Sequence, residues 1–138
     1  MRQITKDIQI TIDGTALGFR LTKLDAFSGV TLLRLLMRLE EQKEAPTILD
    51  LIASLSEDEL RSVMTAVLNH TAVLLPAGPH PVMTGPEWGY PELEHDTPSC
   101  MKLLLEGIAW SLSGFFGGGR SRPESGQSDT ARKLPEYR

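Results

Sequence analysis

The chain is short of the residues from which covalent and inorganic chemistry is built. Its one cysteine, Cys100, rules out an internal disulfide and fits a reducing compartment. With His70, His80 and His95 it makes four possible metal ligands, but none of the paired spacings of a zinc site, such as C-x-x-C or H-x-x-x-H, is present. No G-x-S-x-G elbow supplies a nucleophile, and a lone cysteine at the start of an amphipathic helix is more often a small core residue than a reactive thiol. Acidic runs such as Glu40-Glu41 and Glu57-Asp58-Glu59 read as solvated helix faces or caps. The expectation is a protein that is not an enzyme, with no cofactor and no metal.

Long apolar runs are missing too. No stretch of roughly 18 uncharged apolar residues occurs, and the opening MRQITKDIQITID alternates isoleucine with charge, unlike a signal peptide. The reading is a cytoplasmic protein without a membrane partner. Basic charge is scarce where a nucleic acid would need it. Residues 1–116 carry nine Lys/Arg against fifteen Asp/Glu, and residues 117–138 carry five against three. An acidic body cannot neutralise phosphates. The basic end, with Arg120, Arg122, Arg132, Lys133 and Arg138, lacks interleaved aromatics and reads as a solvated tail before it reads as a nucleic-acid contact.

What is present is one domain's worth of chain, 138 residues with 41% hydrophobic and 23% charged side chains. A globule of this size buries roughly two-thirds of its unfolded surface. The pattern predicts an α+β fold, mainly helical, with an N-terminal antiparallel β-hairpin packed against three to four helices. Ile8, Ile10 and Ile12, then Leu17, Phe19 and Leu21, alternate with polar or small residues on either side of Asp13-Gly14, which reads as a hairpin from about Thr5 to Leu24. A helix over 26–44 follows, capped by Asp25 or Ser28, with Phe27, Val30, Leu33, Leu36 and Met37 on one stripe. Leu32, Leu35 and Leu39 widen that stripe until it is broad enough to touch two neighbours, and Pro46 is its expected stop.

Further helices are expected over 47–55 and, after the capping box Ser56-x-x-Glu59, over 57–70. Prolines 76, 79, 81, 86, 91 and 98 with three glycines predict a loop over 75–97 that carries Trp88 and Tyr90. A last helix over 98–113, with Thr97 as cap and Pro98 in its first turn, carries Met101, Leu104, Leu105, Ile108 and Leu112. Gly114 is its natural stop, and a flexible tail is expected over 117–138 beyond a single globular domain over 1–116. The glycines of GFFGGGRSR follow a helix, and no lysine stands behind them, so they do not form a phosphate loop. Candidate partner contacts are the aromatic residues Trp88, Tyr90, Trp110, Phe115 and Phe116.

The order of segments resembles that of phage and prophage tail assembly chaperones, small proteins encoded just before the tape-measure protein of long-tailed phages. The matching pieces are a strand region feeding FRLTKLDAF, a leucine-rich helix, the capped helix SEDELRSVMTAVL, a Trp-bearing loop and a closing LLLEGIAWSLSGFF before a polar tail. The resemblance spans residues 8–116 and implies a non-enzymatic protein that binds the tape-measure protein, and the tail tube protein as a possible second partner. It implies a homo-oligomer in the bacterial host cytoplasm that is absent from the mature virion, and a ribosomal frameshift product whose G-rich message is compatible with Gly117-Gly118-Gly119. The alternative is a small structural virion protein, such as a tail-completion or head-tail connector component.

Overall fold

The computed structural model describes residues 3–113; the expected tail and the candidates Phe115 and Phe116 lie outside these described residues. The hairpin is formed by β1 (Thr5–Ile12) and β2 (Thr15–Thr22), paired with Ile12 opposite Thr15 across a two-residue turn. Asp13 and Gly14 both take positive φ, 52° and 80°, as a turn matched to the twist of the flanking strands requires. Ile10, Ile12, Phe19 and Leu21 are buried on one face, while Asp7 and Arg20 form an ion pair on the other.

Helix α1 (Ala26–Glu40) comes next, its first turn capped by the Asp25 carboxylate, which accepts from the Ser28 N–H at 3.2 Å. It ends four residues before the expected boundary at 44. After Leu39 only Glu40, Glu41, Gln42, Lys43 and Glu44 remain, so a longer helix would bury nothing. Thr47 and Asp50 make a reciprocal capping box for α2 (Ile48–Ser54), as Ser56 and Glu59 do for α3 (Glu57–Asn69).

The proline-rich region is more ordered than its composition predicts. Strand β3 (Thr71–Leu75) leaves α3 directly and pairs with β2, and β4 (Gly78–Pro81) pairs with β3, so the hairpin grows into an antiparallel sheet of order β1-β2-β3-β4. Pro79 and Pro81 are tolerated because β4 is an edge strand: Val82 N–H donates to the Thr71 carbonyl at 2.9 Å, which puts the even-numbered positions toward β3 and both prolines outward. A small hairpin of β5 (Met83–Thr84) and β6 (Glu87–Trp88) comes after it, then a 3-10 turn over Pro91–Leu93. Asn69 clasps this hairpin to α3, accepting from the Gly85 N–H at 2.7 Å and donating to the Gly85 carbonyl at 3.0 Å.

Helix α4 (Thr97–Ser111) is capped by Asp96, one residue earlier than the expected Thr97; the Asp96 carboxylate accepts from both the N–H and the hydroxyl of Ser99. This helix is the wall between two cores. On its sheet side, Cys100 and Leu103 meet Ile10, Phe19, Leu21, Val73 and Leu93. On its other side, Leu104, Ile108 and Leu112 meet Leu32 and Leu36 of α1, Leu51 and Ile52 of α2, and Val63 and Val67 of α3. Buried Cys100 donates from Sγ to the Leu93 carbonyl at 3.1 Å, and burial, helped by the nearby Asp96 charge, pushes its thiol pKa up, the opposite of what a nucleophile needs.

The two central helices touch closely because residue 107 is glycine. A Cβ there would lie 2.5 Å from Val67 Cγ1, a buried β-branched side chain with no room to swing away. We expect Gly107→Ala to lower stability by about 1–3 kcal/mol, as overpacking of a filled core does. Urea unfolding of Gly107→Ala, Val67→Ala and the double variant should show that the double loses less than the sum of the singles, since Val67→Ala removes the obstructing methyl.

Candidate functional site

Helix α1 has more apolar surface than the core uses. Its inward residues are Leu32, Leu36 and Leu39, and they are buried. Phe27, Val30 and Met37 were expected on the same stripe as Leu36, but they point into solvent with 89%, 54% and 55% of their surface exposed. The reason is geometric. At about 100° per residue, Val30 and Met37 fall more than a quarter-turn from Leu36, and α2, α3 and α4 cover only one side of the helix. The two apolar faces are therefore separate, one closed by packing and one open.

Beside the open face runs a groove of about 550 Å³ between α1 and α3. Leu24, Leu35, Val63 and Ala66 contribute apolar lining, and Arg34 and Asp58 contribute charge. Arg34 stands three and four residues from Met37 and Val30, so its side chain lies between the exposed stripe and the groove. One contact joins the groove's walls directly and a second braces the start of α1 against α4. Arg38 donates from both terminal guanidinium nitrogens to the two Glu59 oxygens at 2.9 Å each, a bidentate bridge from α1 to α3. At the other end, the Leu24 N–H donates to Ser111 Oγ at 3.1 Å, tying the approach to α1 to the end of α4.

The aromatic candidates lie elsewhere. Trp88, Tyr90 and Trp110 are each half-buried and pack against the sheet-side core. Tyr90 donates its hydroxyl to Glu92 at 3.1 Å. Trp110 donates from Nε1 to the Ile4 carbonyl at 3.1 Å, with Lys23 Nζ 4.7 Å and Lys6 Nζ 5.9 Å from its ring centre. These rings pack on the hairpin and the proline-rich region with part of each surface still exposed, and none of them lines the groove. The open face of α1 has one signal in the sequence, an apolar arc wider than a single contact needs.

Among the described residues, no group of three or more His, Cys, Asp or Glu side chains converges as a metal site, and no helix is long and apolar enough to cross a membrane. Comparison with protein-family models, with curated proteins and with solved structures finds no match to the chain.

Two ion pairs of the helical side, Arg38–Glu59 at the groove and Lys43–Asp50 at the start of α2, give the fold a defined acid sensitivity. The Arg38 guanidinium, with the Ser56 N–H, holds the Glu59 pKa at about 2 against an ordinary 4.5. The Lys43 ammonium, with Thr47, holds Asp50 at about 2 against 3.8. Both carboxylates bind protons less tightly in the folded chain than in the unfolded one. The stability they add is complete above their unfolded values and is lost as pH falls from about 4.5 toward about 2. The melting temperature should fall across that window, and less steeply in Glu59→Gln, which keeps a capping-box side chain but no charge.

Proposed function

We propose that this protein is a non-enzymatic tail assembly chaperone that binds an elongated, apolar helical partner, the tape-measure protein, and keeps it soluble while the tail is assembled. The observation that carries this reading is the second apolar face of α1, where Phe27, Val30 and Met37 lie exposed along one side of a groove. A helix laid in such a groove is read by apolar anchors at i, i+3, i+4 and i+7 spacing. Single exposed apolar residues are ordinary on a protein surface, whereas three aligned on one helix beside a concavity form a patch. Met37 adds an unbranched, polarisable side chain that adapts to different partner surfaces along a repetitive helix. The order of segments resembling tail assembly chaperones supports the same assignment. The tail tube protein is a second partner of the proposed system, and the site of action is the host cytoplasm.

Co-expression with the tape-measure protein of the proposed tail system should raise that protein's soluble fraction severalfold. Phe27→Asp, Val30→Asp and Met37→Asp should each reduce the gain while leaving the melting temperature of the chaperone nearly unchanged, because none of the three side chains is buried. Equal solubilisation by all three variants would remove the α1 face from the reading. No solubilisation by the native protein would remove the reading itself.

A further inference from the structure

The four-stranded sheet has two edges, and they are chemically unlike. The hydrogen-bond phase of each follows from the bonds at the strand ends. Lys23 N–H donates to the Ile4 carbonyl at 2.9 Å, so with the β1-β2 register it is the even-numbered residues of β1 whose backbone groups face β2. Thr22 N–H donating to the His70 carbonyl at 2.8 Å confirms the complementary phase on β2. The odd-numbered residues Thr5, Asp7, Gln9 and Thr11 therefore direct their N–H and C=O groups away from the sheet. Gln3 covers the Thr5 carbonyl at 3.0 Å, and among the described residues no hydrogen bond beyond the β1-β2 ladder reaches the backbone of Asp7, Gln9 or Thr11. On β4 the two outward positions are Pro79 and Pro81, which have no N–H to offer. One edge is closed by proline and the other keeps its donors along its whole length.

We infer that the β1 edge pairs with the β1 edge of a second copy of this chain, antiparallel and centred on Gln9. The charge pattern of TKDIQITI selects this arrangement. Its two charges, Lys6 and Asp7, lie at one end, and Ile8 to Ile12 are uncharged. A parallel in-register pair would set Lys6 against Lys6 and Asp7 against Asp7, and an antiparallel pair centred on Asp7 would also oppose two carboxylates. Centring on Gln9 places Asp7 opposite Thr11 of the second copy. It also matches Ile8 with Ile10 twice, extending the apolar inner face on which Ile10 is buried and Ile8 half-buried. Centring on Ile8 instead would leave one such apolar match, Ile8 with Ile8, in place of two. In the Gln9 register Lys6 stands opposite Ile12 of the second copy, and no two like charges are opposed. The inference stands apart from the partner reading, since it uses neither the groove nor the exposed face of α1.

A single strand pair buries less than the roughly 1,200 Å² of a standard interface, so the dimer should dissociate on dilution through the micromolar range. Sedimentation velocity of the full chain across that range should show concentration-dependent dimerisation. Gln9→Lys sets two ammonium groups opposite each other and should raise the dissociation constant roughly tenfold or more. Gln9→Pro should do the same by removing the central donor. Neither change takes a hydrogen bond from the chain's own sheet, and circular dichroism checks that both variants fold. For the register, Gln9→Cys should form a disulfide-linked dimer under mild oxidation, as opposed residues of a hydrogen-bonded pair have Cα atoms about 5.5 Å apart, within disulfide reach. Thr11→Cys, which faces Asp7 of the second copy, should not. A chain that stays monomeric throughout, a dimer indifferent to Gln9→Lys, or cross-linking at Thr11 in place of Gln9 would overturn the inference.

Discussion

The architecture depends on the close approach of α3 and α4 where Gly107 faces Val67. Because residue 107 has no side chain, α4 can lie against α3 and still expose apolar residues on both of its flanks. One flank receives the sheet through Cys100 and Leu103, and the other receives the helices through Leu104, Ile108 and Leu112. A bulkier residue at that point would push the two helices apart and open both cores at once. Dense packing leaves no slack to absorb such a shift.

The same division explains how the sheet is finished. Its inner face is covered by α4, its outer face carries the Asp7–Arg20 pair, and β4 ends it with prolines at the positions that would otherwise donate outward. The segment after β4 is held down by single polar clasps, Asn69 on Gly85 and His80 Nε2 at 2.7 Å from the Gly89 carbonyl oxygen. Gly89 is required there because a Cβ would overlap the Pro81 carbonyl oxygen. Trp88 and Tyr90 then cover the sheet-side core from that region, each half-buried.

On the helical side the covering is incomplete. Helices α2, α3 and α4 close one face of α1 and leave the other to solvent, and the Arg38–Glu59 bridge spans the groove between α1 and α3. A bridge of this kind contributes little net stability at an exposed site, but its two parallel hydrogen bonds fix the relative rotation of the two helices. That gives a concave surface with apolar residues at its margin.

Local chemistry was enough to read much of this chain. Asp13-Gly14 specifies the hairpin turn and its register, and Ser56 with Glu59 marks the start of α3, because each signal acts within four residues and needs no partner from elsewhere. Elements that depend on distant chain were not legible. TAVLL is too short to distinguish from a fraying helix end until β2 offers it a ladder, and Pro79 and Pro81 fit a strand only because nothing pairs beyond them. The apolar residues of α1 were visible as a broad arc, but which of them are buried depends on where three other helices pack. The sequence alone determined the Asp13-Gly14 turn, the Ser56–Glu59 cap and the apolar content of each segment. Only the tertiary structure decided which apolar faces meet, and so left Phe27, Val30 and Met37 facing water.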